Sequence, residues 1–219
     1  FEDCTSLQEI VIPEGITEIG GFAFKGCNGL RKVVIPSSVS EIGWNVFNGC
    51  SLLESITIPD MVTKIYSSTF ASCASLRDVV IPLGVTEIER EAFFFCKSLR
   101  EVVIPSSVTE IKSGVFSGCE GLQDVVIPEG VTKILDYAFE ECTGLKEIII
   151  PSGVTSIGEN AFYGCADLKT VVIPSSVTSI GVDAFGGCDN LKAIYVPNNT
   201  VDFYKKRFPV DMQWLIGEE

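Results

Sequence analysis

Apolar residues recur along the chain in short blocks separated by polar or turn residues. In Leu30-Arg31-Lys32-Val33-Val34-Ile35 the alternation sends Val33 and Ile35 to one side and Val34 to the other, the period-two signature of a β-strand. Pro36 ends that strand because proline has no N–H to give a ladder. Val39-Ser40-Glu41-Ile42 predicts a second short extended segment, and Val46, Phe47 and Cys50 are spaced to suit one helical turn. Gly49, with Gly26, Gly118, Gly164 and Gly187, is placed to close that turn. The inward set of one block is then Leu30, Val33, Ile35, Val39, Ile42, Val46, Phe47 and Cys50.

The block repeats. Cysteines stand at 4, 27, 50, 73, 96, 119, 142, 165 and 188, a step of 23 each time. Nine of the ten prolines, from Pro13 to Pro197, keep the same step, as do the Phe column from Phe1 to Phe185 and the Leu column from Leu7 to Leu191. The unit reads LxxIxIPxxVTxIGxxAFxxCxx, and a period of this length signals a solenoid. One coil buries too little apolar surface to offset the entropy of ordering it, so stability has to come from stacking on neighbours. With strands about 4.8 Å apart, nine coils make a stack roughly 40 Å long. The strand side and the turn side differ in thickness, so the stack is expected to bend with its strands on the concave face. The expected fold is therefore α/β: a right-handed horseshoe solenoid with a parallel sheet on the concave face and short helical turns or irregular segments on the convex one.

These residues closely resemble the BspA-like leucine-rich repeats, the 23-residue class found in surface proteins of bacteria and some protists. The match runs from residue 1 to about residue 200. The resemblance implies an exported, cell-surface or extracellular protein whose solenoid binds other macromolecules, often host proteins, and it brings no catalytic residues with it. Residues 1–200 are expected to form a single solenoid of about nine coils, and residues 201–219 a C-terminal capping segment. Phe203 and Phe208 still occupy the Ile and Phe columns and Trp214 the Leu column. Asp211 replaces Cys, and Tyr204-Lys205-Lys206-Arg207 is strongly polar. At the other end Phe1-Glu2-Asp3-Cys4 begins in mid-motif, without a starting Met or a signal-peptide pattern, and reads as an N-terminal truncation.

Charge and composition narrow the chemistry. The 29 acidic against 16 basic side chains give a net charge of −13, which argues against nucleic acid and against anionic membranes as partners. Apolar runs such as Ala92-Phe93-Phe94-Phe95-Cys96 are far shorter than the about 20 residues a spanning helix needs, so no membrane insertion is expected. Histidine is absent, which removes Ser-His-Asp and Cys-His nucleophile pairs and HExxH zinc sites. The cysteine ladder offers parallel Cβ vectors, poor for disulfides, and a single file of sulfurs, poor for zinc; it reads as a column of small buried hydrophobes. No cofactor and no metal is implied, and the chain is not expected to be an enzyme.

Two surfaces stand out as candidate sites. The first is the outward strand column, Val34, Thr57, Val80, Val103, Val126, Ile149 and Val172, an apolar stripe on the concave face beside a mostly acidic column (Glu9, Asp78, Glu101, Asp124, Glu147) and a mainly basic one (Arg31, Arg77, Arg100, Lys146, Lys169, Lys192). β-Branched residues also simply favour strands, and the two charged columns could satisfy each other. The second is a set of departures from the repeat in coils two to four: Trp44, Met61, Tyr66, Leu83, Phe94 and Phe95 replace small or polar residues. Exposed aromatics with Met have interface composition. The loop after the proline and the turn edge are not adjacent, so these six can form two sites, or only padding.

Thr17, Thr63, Thr86, Thr109, Thr132, Thr155 and Thr178 form a column that cross-strand pairing explains. Asn198-Asn199-Thr200 is a glycosylation acceptor pattern with meaning only in a eukaryotic secreted protein. The expected function is a non-catalytic extracellular module, an adhesin or host-interaction protein with a protein or glycan ligand. A structural spacer holding another domain away from the cell surface is the alternative. A monomer is expected over an oligomer.

Overall fold

The structure is a computed structural model that describes residues 1–206, 208, 213 and 216–218. The first eight coils each contribute two short strands, stacked coil by coil in two ladders. The first ladder contains β1 (Glu9–Val11), β3 (Lys32–Val34), β5 (Ser55–Thr57), β7 (Asp78–Val80), β9 (Glu101–Val103), β11 (Asp124–Val126), β13 (Ile148–Ile149), β15 (Thr170–Val172) and β17 (Ala193–Val196). The second contains β2 (Glu18–Ile19), β4 (Glu41–Ile42), β6 (Lys64–Ile65), β8 (Glu87–Ile88), β10 (Glu110–Ile111), β12 (Lys133–Ile134), β14 (Ser156–Ile157) and β16 (Ser179–Ile180). Hydrogen-bonded pairing is interrupted along both ladders, as between β3 and β5 and between β4 and β6. Every pair is parallel, and each residue meets the one 23 positions on, as in Ile10 with Val33, Ile56 with Val79 and Ile111 with Ile134. The register follows from burial. A slip by one residue would turn Val33 and its equivalents to solvent.

The inward columns form one continuous core. Leu30, Val33, Val39, Ile42, Val46, Phe47 and Cys50 are buried, and Ile35 packs partly buried against them. Phe24, Phe47, Phe70, Phe93, Phe116, Phe139, Phe162 and Phe185 stack face to face along the axis, with ring centroids 5.2–5.7 Å apart.

The turn side corrects the sequence expectation. No helical turn forms at Val46–Cys50, and the α/β description gives way to a parallel-strand solenoid with almost no helix. Alternate N–H groups there donate within the coil and between coils. Ala23, Lys25 and Cys27 reach Gly20, Phe22 and Phe24, whereas Phe22, Phe24 and Gly26 reach Trp44, Val46 and Asn48 at 2.7–3.1 Å. Neighbouring helices need about 8–10 Å between axes, more than coils joined by these main-chain hydrogen bonds allow. Two residues per coil take left-handed conformations to make the tight turns. Gly49 and Gly118 do so at φ +79° and +74°, while Ser72, Phe95 and Glu141 fill the same column at φ 55–59°.

Among the described residues the one α-helix is α1 (Val201–Lys205), followed by β18 (Ile216–Glu218), which pairs parallel to β17. Phe208 continues the ring stack on Phe185 at 5.9 Å. Phe203 does not take the inner Ile position. It is 41% exposed, and Tyr204 turns inward instead, 2% exposed, its hydroxyl donating to the Val177 carbonyl at 2.8 Å. β18 meets β17 at a step of 22 rather than 23, as in Ile194 with Ile216. Arg207, Asp211 and Trp214 lie outside the described residues.

Candidate functional site

The outward residues of the first ladder stand on one face because successive strand side chains point to opposite sides. Val80, Val103, Val126 and Ile149 are 59–82% exposed and succeed one another coil by coil. Val34, Thr57 and Val172 extend the column with less exposed surface at Val34 and Val172. Two residues earlier on the same face run Asp78, Glu101, Asp124 and Glu147, all exposed. The register sets Glu101 directly opposite Asp124. Among the described residues none of these four carboxylates forms an ion pair; the basic column does not neutralise them, and its one bridge is Arg31 to Glu54 at 4.0 Å.

The second ladder sets Glu18 opposite Glu41 at one end but pairs opposite charges farther along. Lys64 lies opposite Glu87, and Lys133 opposite Glu110. Lys64 Nζ is 3.0 Å from Glu87 and 2.7 Å from Glu89, Lys112 also pairs with Glu87, and Lys133 is 3.1 Å from Glu110. Ser67 donates to Glu89 through both its N–H and its hydroxyl at 2.9 and 2.8 Å. Hydrogen bonds from Lys112 and then Lys64 hold the Glu87 carboxyl below its usual range. Burial alone would raise Glu89, but the bonds from Lys64 and Ser67 outweigh it and leave that group low as well. The network was not legible along the chain, because Lys64 and Glu87 share one column, Glu89 and Lys112 a second, and Ser67 belongs to a third.

The six departures from the repeat separate in space. Leu83, 85% exposed, joins the strand face: with Val80, Val103 and Pro82 it lines a groove of about 430 Å³ whose charged walls are Asp60, Asp78 and Glu101. Met61 is exposed in the same turn as Asp60. Tyr66 sits at the second ladder, its ring under Lys64 Nζ at 4.9 Å and its hydroxyl bonded to Glu41, which raises the phenol pKa. Trp44 and Phe95 lie on the turn side over glycines of the adjacent coil. A Cβ at Gly21 would come within 2.5 Å of Trp44 Nε1, and one at Gly118 within 2.8 Å of Phe95 Cδ2. Trp44 also packs on Phe22 at 4.4 Å and Phe94 on Phe95 at 4.5 Å. The exposed rings on this side cover space that glycine leaves empty.

The cysteine column has a partner that spacing alone did not reveal. All nine cysteines are free, and eight are buried. Each buried thiol donates to the Phe carbonyl of the preceding coil, for example Cys50 to Phe24 and Cys119 to Phe93, at 3.0–3.2 Å. Burial pushes Cys50 and Cys188 up to about 12 from the ordinary 9.0 and raises the other buried thiols as well. The thiolate is the nucleophile, so these sulfurs are chemically quiet at neutral pH.

Two stacked parallel ladders, a one-per-coil Leu and Phe core and tight turns define a solenoid of the leucine-rich-repeat type. The chain belongs to the BspA-type leucine-rich repeat family, whose repeat region matches in six copies over residues 1–123 and 110–209. It is similar to the crystal structure of a leucine-rich repeat protein from Bacteroides ovatus, with 33% identity and a TM-score of 0.71 over 88% of this chain and 58% of that one. The leucine-rich repeat protein of T. pallidum is 33% identical, with a TM-score of 0.65 over 90% of this chain and 82% of that one. A leucine-rich cell surface protein from Faecalibacterium prausnitzii is 29% identical, with a TM-score of 0.57 over 90% and 69%. No curated protein sequence matches the chain. Among the described residues no helix is long and apolar enough to cross a membrane.

Proposed function

We propose that the chain is a non-catalytic, extracellular macromolecule-binding module that engages a protein or glycan through its exposed strand face, in adhesion or host interaction. The observation that carries this reading is the row Val80, Val103, Val126 and Ile149, kept 59–82% exposed over four successive coils. An apolar row of that continuity is costly in water unless something covers it. Membership of the BspA-type family and the likeness to a cell surface protein of F. prausnitzii support the surface location.

The test is binding of the purified chain to a panel of immobilised extracellular host proteins and glycans at low and high salt, beside the double variant Val126→Ser with Ile149→Ser. Saturable binding to one panel member, lost in the double variant, is the expected result. Silence across the panel favours a structural spacer; binding that the double variant leaves intact moves the site off the strand face.

A further inference from the structure

We propose that the groove formed by Leu83, Val80 and Val103 between Asp60, Asp78 and Glu101 is a receptor for an arginine side chain on an extended segment of a partner polypeptide. The proposal rests on the strand-face reading above and names the chemistry of its ligand.

Three observations converge. The groove, about 430 Å³, has an apolar floor, and every charged residue in its lining is acidic. That volume falls in the range of about 300–1,000 Å³ typical of sites built to hold a ligand group. A long cationic side chain fits both parts of the lining, its methylenes on Leu83 and Val80 and its charge toward the carboxylates. Arginine suits it better than lysine, because a planar, weakly hydrated guanidinium meets carboxylates through paired N–H donors and lies flat on apolar surface.

Secondly, the groove is where the array breaks its own rule. The column holding Asp60 and Leu83 otherwise reads Glu14, Ser37, Ser106, Glu129, Ser152, Ser175 and Asn198. A leucine left 85% exposed in an otherwise polar column does nothing for the core.

Thirdly, the register stacks like charges here. Glu101 faces Asp124 across the ladder, and among the described residues neither forms an ion pair, whereas Lys64 with Glu87 and Lys133 with Glu110 in the second ladder do. Like charges directly opposite destabilise a sheet. Local rules broken at a cost are characteristic of functional sites, and a cation supplied from outside would relieve this one. The occupant is a polypeptide because the stripe continues from Val103 to Val126 and Ile149, giving neighbouring apolar side chains of the same segment a surface to lie on.

The experiment is fluorescence polarisation with a short fluorescein-labelled peptide alternating arginine and leucine, against the same peptide with citrulline for arginine, which keeps the shape and removes the charge. The expected result is binding of the arginine peptide that weakens with salt, and at least about tenfold weaker binding of the citrulline peptide. Glu101→Gln, Asp78→Asn and Leu83→Ser should each weaken the arginine peptide by about tenfold. Glu101→Gln should at the same time raise Tm, because it removes the apposition with Asp124; a merely structural carboxylate would not couple lost binding to gained stability. Equal binding of the two peptides, no binding of either, or a fall in Tm for Glu101→Gln overturns the proposal. If the three groove variants bind like the unmodified protein while Val126→Ser with Ile149→Ser does not, the groove assignment falls and the strand-face reading stands. If neither set matters, both fall.

Discussion

The cysteine ladder makes the fold sensitive to alkali in a way that can be worked out from the structure. Eight thiols are buried, donate to main-chain carbonyls, and are held neutral with pKa values raised by burial, to about 12 at Cys50 and Cys188. Unfolding returns each to the ordinary 9.0. A group whose folded pKa lies above its unfolded value contributes stability that is intact below the unfolded pKa and drains away as pH rises toward the folded one. For a thiol still neutral in the fold the loss is RT ln(1 + 10^(pH−9)), about 0.4 kcal/mol at about pH 9 and about 1.4 kcal/mol at about pH 10. The seven thiols from Cys50 to Cys188 together lose about 3 and then about 10 kcal/mol. An ordinary domain has about 5–15 kcal/mol in total. The protein should therefore unfold within about one pH unit above pH 9.5, with a slope approaching about seven protons.

Urea unfolding followed by circular dichroism at a series of pH values measures the loss, and thiolate absorbance tells whether ionisation accompanies unfolding. Replacing Cys119 and Cys142 together by Ala should lower the slope by about two protons, whatever the substitution does to stability at neutral pH. A stability that changes by less than about 2 kcal/mol between pH 8 and pH 10, or a slope unmoved by the double substitution, would refute the reasoning.

Two further outcomes follow from the packing. Phe116→Ala removes a fully buried ring stacked on Phe93 at 5.6 Å and on Phe139 at 5.4 Å, and should cost about 3–5 kcal/mol in urea unfolding. Phe1→Ala removes a ring that is 67% exposed with one stacking partner, so equal losses in the two variants would contradict the nearest-neighbour account. At the second ladder the lowered pKa of Glu87 gives stability that is present above the usual carboxylate range and lost as pH falls through it. Glu87→Gln should accordingly flatten the decline of Tm in acid, while a profile identical to that of the parent protein would remove Glu87 from the network's pH response.

Much of this protein was legible in one dimension. The 23-residue step placed Val33 inward, Val34 outward and Cys50 beneath its neighbours, and the structure keeps each of them there. The outward row from Val80 to Ile149 was also readable, because strand periodicity alone decides which side chains leave the core. The site was legible only in pieces. Leu83 was singled out as a departure from its column, but nothing along the chain says that it borders the same groove as Val80 and Glu101. Lys64 and Glu87 share one column and Glu89 and Lys112 another, and the two sets meet only after the coils stack. In the C-terminal segment the helix Val201–Lys205 buries Tyr204 and leaves exposed Phe203, the residue that counting places in the Ile column.

The sequence by itself determined the repeat, the strand faces, the register and the inward columns, since a fixed period leaves only one set of equivalent positions to bury. Tertiary structure alone decided the shape of the turn side. Cys50, Phe47 and Val46 have helical spacing, but coils joined by main-chain hydrogen bonds lie too close together for side-by-side helices. The chain therefore folds into tight turns that satisfy alternate N–H groups within the coil and across to the next. The same close stacking brings each thiol onto a carbonyl of the coil before it and lays Trp44 and Phe95 over neighbouring glycines, contacts between positions about 23 residues apart that no local pattern specifies.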